Sequence, residues 1–187
     1  MLPPRPTQLA HLILKGAIRD GDTVIDATAG HGHDTVFLAQ CVGAHGRVLA
    51  FDLQEIAIQS ARTKVEMAGL ASRVEFHQTS HARMAEHAAA GAVATAMFNL
   101  GYLPGENHAM TTVTSETLAA LAAAAGLLKS GGLLSVVCYP GHPAGALETA
   151  GVESWLGAQT AHGWQIAKYG MLGTRMPAPW LFVARKS

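Results

Sequence analysis

Short apolar runs alternating with helical stretches predict an open α/β sheet, mostly parallel, with helices on both faces. The runs occupy residues 23–28, 47–52, 73–77, 92–98 and 133–139. Two more, near 165–171 and 180–185, are joined only by the Gly/Pro-containing segment 173–179, which predicts an antiparallel C-terminal strand pair and a seven-stranded sheet. At 187 residues the chain reads as one domain over 1–187, with residues 1–20 forming an N-terminal helix that leads into it.

Each element has a local reason. Residues 7–19 form a helix, with Thr7 as its cap after Pro6, and with Leu9, Leu12, Ile13 and Ala17 on one face. Gly21 and Asp22 turn the chain into the β-branched run 23–28. A loop with two glycines leads into a helix over 34–42, where Phe37 and Cys41 share a side. After the run 47–52, a helix over 54–68 puts Ile58, Ala61, Val65 and Ala68 inward and Glu55, Gln59, Arg62 and Glu66 outward, with Gly69 as its C-terminal cap. A short helix is expected around 84–89. A long helix starts at Thr114 or Ser115, repeats Leu118, Leu121, Ala125 and Leu128, and stops at residues 129–132. The last helix spans about 146–161.

Composition narrows the function classes. Hydrophobic residues make up 49% and charged residues 14%, which excludes a disordered tail or a charged coiled coil. No apolar run reaches the ~18 residues of a membrane span, and the first residues lack the pattern of a secretory signal. Cys41 and Cys138 lie in apolar segments, as small buried residues do. A cytoplasmic protein is expected. Thirteen basic residues balance thirteen acidic ones, with ten histidines besides, so no basic surplus announces a nucleic-acid partner.

Ligands of such sheets bind beyond the carboxyl ends of the strands, so the loops there carry the candidates. The sharpest is DATAGHGHDT over 26–35: Gly30 and Gly32 permit a tight turn and close approach to the backbone at a helix N-terminus. Asp52, ending the second strand, suits the two hydroxyls of a ribose. Dinucleotides and S-adenosylmethionine share this geometry. A dinucleotide fingerprint wants a third glycine where Thr35 stands, which disfavours an NAD-dependent oxidoreductase. Asp26 is the acid that methyltransferases place near this loop to help hold the methionine amino group.

The second motif, NLGYLP over 99–104, follows the fourth strand. Asn99 Oδ1 can accept a bond from an amino nucleophile, and Tyr102 can stack on a base. Ser80 and His81 follow the third strand, where adenine contacts are expected. YPGHP over 139–143 leaves His142 at the same mouth, as a substrate-orienting or phosphate-binding residue, a proton acceptor through water, or a structural histidine. No metal site is expected, because His31 and His33 lack zinc-type companions.

With these motifs assembled, the chain resembles the small methyltransferases labelled rRNA methylases, of the YtqB/MnmM type. The resemblance runs from about Ala10 onward and rests on DATAGHGHDT, AFDLQ over 50–54, Ser80-His81, FNLGYLPG over 98–105 and YPGHP. His31 stands where that family usually has Asn, and Pro140 where it often has His. The resemblance implies a Rossmann-like class I methyltransferase fold with S-adenosyl-L-methionine contacted by His31, Asp34, Asp52, Gln54, Ser80 and His81. It also implies a tRNA substrate, the aminomethyl group of a wobble uridine. An edge surface could pool basic residues in a homodimer, and a non-catalytic adaptor that keeps the cofactor fold is the remaining rival.

Overall fold

The computed structural model describes residues 3–101, 114–175 and 177–187. Along the chain run α1 (Pro6–Ala17), β1 (Thr23–Asp26), α2 (His33–Cys41), β2 (Arg47–Asp52), α3 (Glu55–Met67), β3 (Val74–Gln78), β4 (Val93–Asn99), α4 (Thr114–Leu127), β5 (Leu128–Cys138), α5 (Pro143–Gln159), β6 (Gln165–Gly170) and β7 (Trp180–Arg185). Short 3-10 turns add Ala71–Arg73, His81–Glu86 and Thr160–His162.

The seven strands lie in the order β3-β2-β1-β4-β5-β7-β6. β1 pairs in parallel with both β2 and β4, so the strand order reverses between β1 and β4. Sheets of this kind take their ligands at such a reversal, here beyond Asp26 and Asn99 at the two strand ends. β7 pairs antiparallel with both β5 and β6, as the short C-terminal connection requires.

Side-chain alternation explains why both faces are covered. Ile25, Leu49 and Phe98 point to one side, into a core closed by Leu121 of α4 and Val152 of α5. Their neighbours Val24, Val48 and Met97 point to the other, against Leu14 of α1, Leu38 of α2 and Val65 of α3. A buried bond from Thr117 Oγ1 to Glu148 Oε1, 2.6 Å long, ties α4 to α5.

Several boundaries differ from the sequence expectations. Pro6, not a residue after Thr7, is the first helical position of α1, where its missing N–H is harmless. The Arg5 N–H is taken by Gln8 Oε1 at 3.0 Å. The helix expected near 84–89 is the 3-10 turn His81–Glu86, which starts early because Ser80 Oγ accepts the Ala82 N–H. Residues 129–132 do not separate α4 from β5. That segment is drawn into the sheet with a bulge against β4, where Gly131 N–H and Gly132 C=O bond to the Lys186 backbone. α5 begins at Pro143, not near Ala146, because His142 caps it. Cys138 is buried as expected, whereas Cys41 is half-exposed.

Candidate active site

The loop after β1 is shaped from inside by Asp26. Its carboxylate is fully buried, taking the Thr35 hydroxyl at 2.6 Å on one oxygen and the Thr28 N–H at 3.1 Å on the other. Burial, reinforced by the charge of Asp34, pushes its pKa up to about 7. Both oxygens of Asp26 are therefore engaged by the loop that it holds. Thr35 occupies the third-glycine position and uses its hydroxyl as the anchor.

Gly32 has φ +78, and a Cβ there would lie 2.6 Å from Ala61 Cα on α3, so only glycine lets the two helices pack this closely. Gly30 has φ +49, but its Cβ would meet nothing nearer than the Thr28 carbonyl at 3.8 Å. The space over Gly30 is open. Asp52 closes the other side: Oδ2 accepts the Gly30 N–H at 2.9 Å and Oδ1 the Gln54 N–H at 3.0 Å. A carboxylate offers about four acceptor sites, so this half-exposed group retains capacity for ribose hydroxyls. An open glycine backbone beside such a carboxylate fits S-adenosylmethionine. Gln54 begins α3, and His31 is exposed, its Nδ1 3.4 Å from Ser60 Oγ.

On the β3 side, Ser80 donates its hydroxyl to Glu116 Oε2 at 2.6 Å, which anchors this turn to α4. His81 is buried, its Nδ1 3.0 Å from the Ala27 carbonyl. Burial lowers its pKa, so the neutral ring donates from Nδ1 and keeps Nε2 as an acceptor.

Asn99 is the centre of a hydrogen-bonded line. Its Nδ2 donates to Asp34 Oδ2 at 3.1 Å, and its Oδ1 accepts the Tyr139 hydroxyl at 2.8 Å. The other Asp34 oxygen lies 2.7 Å from His11 Nε2, and the His11 ring stacks on Phe37 at 3.9 Å. The Asn99 N–H is tied to Thr28 Oγ1 at 2.9 Å, which joins this line to the glycine loop. Sequence reasoning missed His11 and Tyr139 as site residues. Tyr139 had a signal, since it follows β5 as Asn99 ends the adjacent β4. His11, on a helix outside the sheet, had none.

His142 sits at the same end of the sheet, but its Nδ1 accepts the Gly145 N–H at 3.1 Å as the cap of α5. Tyr102 lies outside the described residues.

A family model described as "Putative rRNA methylase" matches residues 48–185. The chain is 37% identical to the chloroplastic tRNA (mnm(5)s(2)U34)-methyltransferase of Arabidopsis thaliana, over 97% of this chain and 70% of that protein. A crystal structure from Clostridium thermocellum, described as a "putative rRNA-methylase", superposes with a TM-score of 0.96 at 33% identity, covering all of both chains. A protein from Streptococcus mutans described as "a putative methyltransferase", crystallised with S-adenosylhomocysteine, gives 0.90 at 28% identity, again over the whole of both chains. The open glycine loop, the carboxylate at the end of β2 and these likenesses agree: the chain belongs to the family described as "Putative rRNA methylase" and is an S-adenosylmethionine-dependent methyltransferase of the class I fold.

Proposed function

We propose that this single-domain enzyme methylates the aminomethyl nitrogen of 5-aminomethyl-(2-thio)uridine at the wobble position of tRNA. The observation that carries the reading is the fixed amide of Asn99. Tyr139 occupies one lone pair of Oδ1 and Asp34 holds Nδ2, so the amide cannot flip and the second Oδ1 lone pair is committed to accepting. An amine N–H is the group such an acceptor orients. The Arabidopsis relative supports the substrate, being named for methylation at this modified uridine.

When bound, S-adenosylmethionine supplies an activated methyl group. The chain's residues then have three tasks. Asp52 and the Gly30 backbone hold the cofactor's nucleoside end, with Ser80 and His81 on the adenine side. Asn99 aligns the neutral amine, and alignment is the main contribution for a donor already activated. A primary alkylamine is mostly protonated at neutral pH, so a proton must leave its nitrogen first. The Asp34–His11 pair is the proton acceptor we assign, one hydrogen bond removed from Asn99. His142, whose Nδ1 caps α5, is the second candidate for that role.

The test is to incubate the protein with labelled cofactor and tRNA from cells lacking the enzyme, then to identify the labelled nucleoside. Methylated 5-aminomethyl-(2-thio)uridine is expected, and Asn99→Ala should lower turnover about a hundredfold with S-adenosylhomocysteine affinity retained. Label on any other nucleoside overturns the substrate. Cofactor binding with no transfer to any tRNA fraction would instead make the chain an adaptor.

A further inference from the structure

The edge strand β3 presents Glu75 and His77 two positions apart, on one face of the strand. His87 returns to them from the C-terminal end of the 3-10 turn His81–Glu86. One ligand atom from each of the three lies within 4.8 Å of the other two. The His77 and His87 rings are 3.9 Å apart between centroids, and His77 also stacks on Phe51 at 4.8 Å.

His77 supplies the second observation. Its side chain is 10% exposed, and its Nε2 is buried with no hydrogen-bond partner among the described residues. Glu75 Oε1 stands 3.3 Å from that nitrogen but outside hydrogen-bond geometry. Buried polar atoms are almost always matched, so an unmatched imidazole nitrogen facing a carboxylate and a second imidazole calls for a partner.

We propose that Glu75, His77 and His87 form a binding site for one borderline divalent cation of the zinc class. Two imidazoles and one carboxylate are the donor set such ions take, with the remaining position left to water. The packed His77 is the fixed ligand, while the exposed Glu75 and half-buried His87 close onto the ion. The site stands apart from the methyl-transfer line. Its position gives it a consequence there: Ser80 and His81 lie between His77 and His87 in sequence, so a bound cation clips both ends of the segment that carries them.

The experiment is calorimetric titration of chelator-treated full-length protein with Zn2+ alone, beside thermal unfolding. One equivalent should bind, and the melting temperature should rise by about 5 °C or more at a hundredfold excess over Kd. Glu75→Gln and His87→Gln should each weaken binding at least tenfold, because each removes one ligand. A His45→Gln, His162→Gln control, at two exposed histidines away from the cofactor loop, should bind like the unsubstituted chain. Unchanged S-adenosylhomocysteine affinity in every variant shows that the fold persists. Absence of Zn2+ binding, or one-equivalent binding that survives in a Glu75→Gln, His87→Gln double variant, overturns the site.

Discussion

Thr35 donates its hydroxyl to Asp26 across 2.6 Å, with both residues sealed from solvent. The strand end and the first turn of α2 are thereby locked by one bond to one carboxylate, at the position where a dinucleotide fold would place a third glycine.

This burial makes stability depend on pH. The Asp26 pKa rises from 3.8 to about 7 on folding, so the folded chain holds the proton more tightly. The resulting stabilisation is complete below the unfolded value and is lost as pH climbs through about 7. Asp26→Asn can keep both partners, accepting from the Thr28 N–H and donating to Thr35, without the charge. Relative to the unsubstituted chain, the variant should gain on the order of a few kcal/mol between pH 4 and pH 8. Urea midpoints at several pH values check this, and parallel curves for the two chains would refute it.

The two loop glycines should fail differently. Gly32→Ala places a Cβ against Ala61 at a left-handed backbone, and a loss of at least about 2 kcal/mol in unfolding free energy is expected. Gly30→Ala meets open space and should lose only about 1 kcal/mol, while the added methyl enters the cofactor's approach. Calorimetry should therefore find S-adenosylhomocysteine binding weakened at least tenfold in a Gly30→Ala protein that still folds. Undiminished affinity there would displace the cofactor from this loop.

Tyr139 and His142 make a matched pair for kinetics. Burial raises the Tyr139 pKa, so the phenol stays protonated and keeps donating to Asn99 through the neutral range. Tyr139→Phe should reduce kcat about tenfold and leave the cofactor KM unchanged, because Asn99 regains its freedom to rotate. His142→Ala removes a helix cap, so it should lose about 1 kcal/mol of stability and keep kcat within about threefold. A kcat collapse in His142→Ala alone would return the proton-accepting role to that residue.

Much of this molecule is legible from local signals. β2 falls on residues 47–52 as expected because an Arg/Val/Leu/Ala/Phe run between glycines and an acid admits little else. The glycine loop and Asp52 meet at 2.9 Å because the position of both is dictated by the ends of adjacent strands. What escapes is non-local. His11 reaches Asp34 only through the docking of α1, and nothing in the segment between them, a separation of 23 positions, encodes it. The bulge at 129–132 depends on Lys186, far along the chain, whose backbone and Nζ fasten that segment and the end of α4. The cap that His142 makes rests on a single backbone N–H, invisible until α5 had its true start.

The docking of α1 against β5 and β7, with the Tyr169 hydroxyl bound to the Pro4 carbonyl at 2.8 Å, also joins the two ends of the chain. α1 precedes β7 in the chain, so the surface it settles on is complete only when β7 slots between β5 and β6. His11 rides on that helix, so its contact with Asp34 is fastened in part by a strand about 170 residues further along the chain.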